Sequence, residues 1–207
     1  MDYYDKKKVD SIGKYIDLML AKPSDLELAA SAGYPKKEIE RVAKLHKEVV
    51  ELRQISTVAK GRRYSATDAF NFAMEQLKEH YAPIKEIAYV HFEDNREAYS
   101  TLDLNGIRDT VFDEMKIQVK VLYEGILSNA NYLKEMGTRG ISKAHLEAGL
   151  KLHADMLDLK RIQTLAEEER KEAKETLMRK ANELEKWHSK AKRIIRAYSK
   201  VKPVATT

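Results

Sequence analysis

The chain has 207 residues, 43% hydrophobic and 34% charged, with 8 Gly, 4 Pro, no Cys and a net charge of +5. This composition fits a helix-rich chain of one or two domains, and the absence of Cys excludes disulfides, thiol catalysis and thiolate metal sites. The opening MDYYDKKK carries acids and leads into no apolar run, so no secretory signal is expected; no stretch reaches the roughly 20 apolar residues of a membrane-spanning helix, and the expected location is cytoplasmic.

A first helix is predicted from about Lys6 to Ala21, with Ile12, Tyr15, Ile16, Met19 and Leu20 on one face. Lys22-Pro23 ends it. Ser24, three residues before Glu27, has the spacing of a capping box for a short helical piece that stops at Gly33. Pro35 suits the first turn of the next helix, where its missing N–H costs nothing. The LDLNG run at 102–106 supplies a linker, with Asn105-Gly106 as its turn. The same plan then recurs: a helix from about Ile107 to Leu127, a weak break at SNAN, a short piece through Met136, Gly137 and Gly140 as stops, and Ser142 as a cap.

That recurrence extends to the residues themselves. The segment beginning GYPKKEIERVAKLHKEV at Gly33 aligns without a gap on GISKAHLEAGLKLHADM at Gly140, an offset of 107 residues (140 − 33). Identities include Glu40/Glu147, Leu45/Leu152, His46/His153, Leu52/Leu159, Thr57/Thr164, Ala59/Ala166, Arg63/Arg170, Ala66/Ala173 and Leu77/Leu184. About a quarter of the paired positions agree, above the roughly one in ten expected from composition, so a tandem duplication of one helical module is expected.

Downstream of each paired Gly an apolar stripe keeps a three-four alternation. It runs through Leu45, Val49, Leu52, Ser56, Ala59, Arg63, Ala66, Phe70, Ala73, Leu77, His80, Ile84, Ile87 and His91 in the first copy, and through Leu152, Met156, Leu159, Gln163, Ala166, Arg170, Ala173, Leu177, Lys180, Leu184, Trp187, Ala191, Ile194 and Tyr198 in the second. A seven-residue period of this length predicts a coiled-coil-type seam. Gly61 with Tyr64–Asp68, and Pro83, offer break points in the first copy, but the stripe keeps phase through Arg63 and Arg170, which favours continuous or gently bent helices. Each unit would then be a short helix folded on the first half of a long one, whose second half reaches into the neighbouring unit. That helix order and period resemble those of spectrin-type repeats, by analogy alone, since no signature residues of that family are present; the resemblance implies no function. The final half-helix, about Glu172 to Lys200, must have its stripe covered either by its own chain or by a second one.

Two sets of residues stand out as candidate sites. Thr57, Arg63, Thr164 and Arg170 recur at the centre of the stripes. An Arg there is costly to bury unless a carboxylate or helix carbonyls receive it, so the set reads either as a polar layer that fixes register or binds an anion, or as Arg snorkelling over Ala. The second set is Lys186, Lys190, Lys192, Arg193, Arg196 and Lys200, with Lys202 beyond, where no acid follows Glu185. The aligned segment 79–95 carries Glu79, Glu86, Glu93 and Asp94 with only Lys85. The basic set reads as a face pairing with that acidic one, as a binder of nucleic acid or an anionic surface, or as a solvated helix end.

His46 and His153 have no ligand-type residue three or four positions away on their helix, and the single Glu-x-x-His, Glu185 to His188, lacks the second motif a di-metal bundle needs. No nucleophile elbow, zincin motif or phosphate-cradling glycine loop occurs. The sequence therefore predicts an all-α, internally duplicated helical bundle with long coiled-coil-like helices, in units 1–101 and 107–200 with a tail at 201–207. It predicts no metal, cofactor or catalysis. The expected function is that of a scaffold or protein-interaction protein, self-association as a homodimer included, with binding of nucleic acid or an anionic surface as the alternative.

Overall fold

A computed structural model of the protein describes residues 5–104 and 112–201. Among them are seven α-helices and no strand: α1 (Lys6–Ala21), α2 (Pro23–Ser31), α3 (Lys36–His91), α4 (Arg96–Thr101), α5 (Phe112–Ser128), α6 (Ala130–Thr138) and α7 (Lys143–Val201). The fold is all-α. The Asn105-Gly106 turn, the first residues of the helix predicted from Ile107, and the tail beyond Val201 lie outside the described residues.

Local chemistry accounts for most helix ends. Asp5 caps α1 by accepting from the Lys8 amide. Pro23 opens α2, which puts Ser24 inside the first turn; no side chain caps this helix, and the predicted Ser24–Glu27 capping box does not form. Gly33 and Gly140 take positive φ, 88° and 86°, at the turns before α3 and α7, a conformation strained for any residue with a Cβ. Ser142 Oγ accepts from the His145 amide at 3.3 Å while His145 Nδ1 accepts from the Ser142 amide at 3.3 Å, a reciprocal cap with His in the place usually held by Glu or Gln. Helix α3 runs for 56 residues through both Gly61 and Pro83, and α7 runs for 59.

The chain folds into two compact units. One contains the described residues up to Gly61 and those from Glu168 onward; the other is Arg62–Glu167. The units therefore interleave along the chain and do not follow the division into 1–101 and 107–200, because α3 and α7 each give one half to each unit.

In the first unit, Val9, Ile12, Ile16 and Met19 of α1 pack with Ile39, Val42, Leu45 and Val49 of α3 and with Leu177, Ala181 and Leu184 of α7. Helices α3 and α7 run antiparallel there, with Arg41 bonded to Glu183 at 3.5 Å and Glu48 to Lys180 at 3.0 Å. The final half-helix is thus covered by its own chain.

In the second unit, Phe70, Leu77, Ile84 and Ala88 of α3 pack with Val119, Leu122, Tyr123 and Ile126 of α5, Met136 of α6, and Leu146 and Met156 of α7. Leu102 and Leu104, assigned to the linker by sequence, are fully buried in this core. Gly125 makes room for Leu102, whose Cδ2 lies 2.6 Å from where a Cβ would stand.

The stripes stay inward over most of their length and then shift by one residue. Tyr81 and Ala88 are buried in α3 where the strict alternation names His80 and Ile87; in α7 Ala181 is buried beside half-buried Lys180, and Ile195 turns inward while Ile194 is 38% exposed. A seven-residue stripe on a 3.6-residue helix drifts by about 20° per heptad, so over roughly six heptads the inward position moves by about one residue.

Burial of Leu184 is complete, and its removal tests the coverage of α7. Leu184→Ala is expected to lower unfolding free energy by about 2–5 kcal/mol, the range for deleting a core leucine, in urea titrations with an unchanged transition at tenfold dilution. A loss under about 0.5 kcal/mol would place this side chain at the surface.

Candidate anion-binding face

The last turns of α7 combine a buried side and a charged side. Leu184 and Ala191 are fully buried, and Trp187, Ile195 and Tyr198 are half-buried. Trp187 meets Tyr34 edge-on at 6.0 Å between centroids, and His188 meets Tyr15 edge-on at 5.0 Å. These contacts fix the rotation of the helix. At 100° per residue the opposite arc then carries Lys186, Lys190, Arg193, Arg196 and Lys200, all exposed, with exposed Lys192 at its margin.

No acid interrupts this arc. The last acid of the chain, Glu185, lies at its edge and is held by Lys8 of α1. The neighbouring acids Glu183 and Glu38 are both engaged by Arg41, whose hydrogen bonds hold the Glu38 carboxyl below the usual carboxylate range, with a smaller contribution from the nearby Trp187 indole. The indole N–H itself is buried without a partner at hydrogen-bonding geometry. None of the six cations meets a carboxylate among the described residues. Asn182 and Glu185 lie at the start of the strip, and Ser189, Ile194 and Ala197 lie between the cations, all from α7, so the face is an open strip on one helix. From Lys186 to Lys200 it is about 21 Å long at 1.5 Å per residue.

Of the central set, Thr57 and Arg170 belong to the first unit and Arg63 and Thr164 to the second. Thr57 and Thr164 are exposed, and each hydroxyl donates to the carbonyl four residues back, Arg53 and Lys160, at 2.9 and 3.0 Å. Arg63 belongs to the second unit, where its Nε donates to Glu167 at 3.2 Å with both side chains partly exposed. Arg170 belongs to the first unit. What the second unit does place beside Arg63 is a chain the sequence reading missed: Lys160 donates to Gln163 at 2.9 Å, Gln163 to Thr67 at 3.4 Å, and Lys160 sits 4.9 Å above the Phe70 ring.

The histidines serve packing. His46 stacks its ring against Gly13, where a Cβ would lie 2.5 Å from it. His153 is buried and bonds the Lys116 carbonyl at 2.7 Å. Arg139 donates to His91 Nδ1 at 3.1 Å, which leaves Nε2–H to donate to Glu135 at 3.2 Å. His80 Nδ1 bonds the fully buried Tyr123 hydroxyl at 2.9 Å. Among the described residues no group of three or more His, Asp or Glu is placed to hold a metal ion, and no helix is long and apolar enough to cross a membrane. Compared with protein-family models, with curated proteins and with solved structures, the chain matches none.

His188 reports the field of the basic face. Burial first, then Lys192 and Lys8, push its pKa below the ordinary histidine value, against an upward pull from Glu185. In an NMR titration His188 is expected to protonate below pH 6.5, and Lys192→Ala to move its midpoint upward. A depressed folded-state pKa means that the unfolded chain binds the proton first. Stability contributed by neutral His188 is therefore full above pH 6.5 and falls as the pH drops from there through the folded-state value. An unmoved midpoint in the variant would show that Lys192 is not within reach.

Proposed function

We propose that the chain is a non-catalytic helical scaffold whose working surface is the basic face of α7, used on anionic polymers or surfaces. The observation that carries this reading is the uncompensated arc Lys186, Lys190, Arg193, Arg196 and Lys200 on a half-helix whose apolar side is already satisfied within its own unit. The helix dipole favours cations only in the last turn, here Lys200; the other five self-repel and add nothing to the core, so folding alone gives no reason for them.

The scaffold arose, in this reading, by tandem duplication with coiled-coil-like packing in the stretches where the three-four alternation holds. Supporting it, α2 and α6 have nine residues each and begin 107 positions apart, as do α3 and α7, and the two positive-φ glycines share that offset. The basic arc is then a specialisation of one copy, whose counterpart in the other carries exposed Glu79, Glu86, Glu93 and Asp94.

A second reading keeps self-association. Those acids lie in a different unit from the basic arc, and complementary faces on separate units suit head-to-tail pairing between copies. Coverage of the final half-helix by its own chain removes the apolar motive for a dimer, so this pairing would be electrostatic and weak.

The polyanion reading is tested on a heparin column. Wild-type protein is expected to be retained at 0.15 M salt, and the exposed double variant Lys190→Glu/Arg193→Glu to elute well before it with an unchanged melting temperature. Equal elution of the two proteins would remove the face from the account.

A further inference from the structure

We infer that the anionic partner of the α7 face is the phosphate backbone of double-stranded nucleic acid, bound without sequence preference. This inference rests on the polyanion reading and narrows it. Three observations choose among the partners that six cations could serve.

The first concerns membranes. An amphipathic helix that enters a lipid surface needs its apolar face free, because burial of that face supplies much of the binding. Here Leu184, Trp187 and Ile195 are committed to the core of the first unit, and the charged arc exposes only Ile194 and Val201 as large apolar groups. A bilayer could attract this helix only through its headgroups.

The second concerns single strands. Proteins that hold unpaired nucleic acid place aromatic rings where bases stack. No aromatic residue lies on the arc; Trp187 and Tyr198 are turned to the packed side and half-buried. The strip offers charge without stacking platforms.

The third concerns shape and readout. Lys186, Lys190, Arg193, Arg196 and Lys200 follow one another every three or four residues, which spaces cations about 5 Å apart along a line of about 21 Å. The contacts on the opposite face of α7 hold that line rigid. A duplex presents one phosphate charge per 1.7 Å of axis or so, hence about a dozen charges over the same length, within reach of five or six side chains. Between the cations stand Ser189, Ile194 and Ala197, with Asn182 and Glu185 at one end; Asn and Gln, which read adenine in pairs, are not arrayed along the arc, and its two arginines stand on one line with lysines that suit phosphates. A single line of cations at this spacing meets chiefly the phosphate backbone, which carries no sequence information.

The test uses the full chain and three labelled probes: a 20-base-pair duplex of arbitrary sequence, one of its single strands, and vesicles of phosphatidylserine and phosphatidylcholine at equal accessible phosphate. Anisotropy and co-sedimentation should rank the duplex first. With about five phosphates contacted, duplex affinity should fall by about 10²–10³-fold between 50 and 200 mM salt. K190E/R193E should weaken duplex binding at least tenfold, while the control K134E/K151E, which changes charge equally on exposed lysines of the second unit, should leave it unchanged. Tighter binding of vesicles or single strand, or a control variant as impaired as the test variant, would overturn the inference. Heparin retention with no duplex binding would overturn it and leave the polyanion reading standing. Loss of both takes both.

Discussion

The structure depends on one packing event: the second half of α7 lies antiparallel on the first half of α3, with α1 closing the third side. Leu177, Ala181 and Leu184 enter a core with Val9, Ile12, Ile16, Ile39, Val42 and Val49. Each fully buried aliphatic side chain contributes roughly 1.5–3 kcal/mol, so this apolar set outweighs the surrounding ion pairs. Those pairs are mostly exposed, and exposed pairs contribute at most about 1 kcal/mol each. Arg41 and Lys180 orient the two helices more than they hold them.

Surface electrostatics follows from that burial. Once the apolar side of α7 is fixed inward by Leu184, Trp187 and Ala191, the helical period leaves Lys186, Lys190, Arg193 and Lys200 no choice but to face outward together. Lys8 and Arg41 engage Glu185, Glu183 and Glu38 at the edge of the strip. Acids that would otherwise screen the arc are drawn into the packing contacts of the unit, and the cations stay free. The same mechanism explains the low pKa of His188, which is buried on one side and faces Lys192 and Lys8.

Much of this was legible in the residues and some was not. Helix α1 was readable to its ends because Lys22-Pro23 stops it. Continuity of α3 through Gly61 and Pro83 followed from the phase of the stripe. The helix-end region at Leu102 and Leu104 was misread as linker: Asn105-Gly106 is a strong turn signal, and two leucines before it carry no periodicity that could announce their burial. Arg63 and Arg170 are equivalent in the alignment, yet they serve different units, since which half of a long helix joins which unit depends on pairings that no local pattern encodes. Thr57 and Thr164 recur at the stripe without entering the core, because a hydroxyl can bond its own helix four residues back. The basic arc was visible as composition; that its cations share one rigid face required the burial of Trp187 and Ile195.

Amide hydrogen exchange followed by mass spectrometry tests the central packing claim most directly. Residues 177–191 of α7 should exchange as slowly as residues 39–49 of α3, with protection independent of protein concentration over a hundredfold range, since both open only when the first unit unfolds. Rapid exchange of 177–191 in dilute protein, with protection gained only as concentration rises, would mean that a second chain covers the helix and would contradict the account.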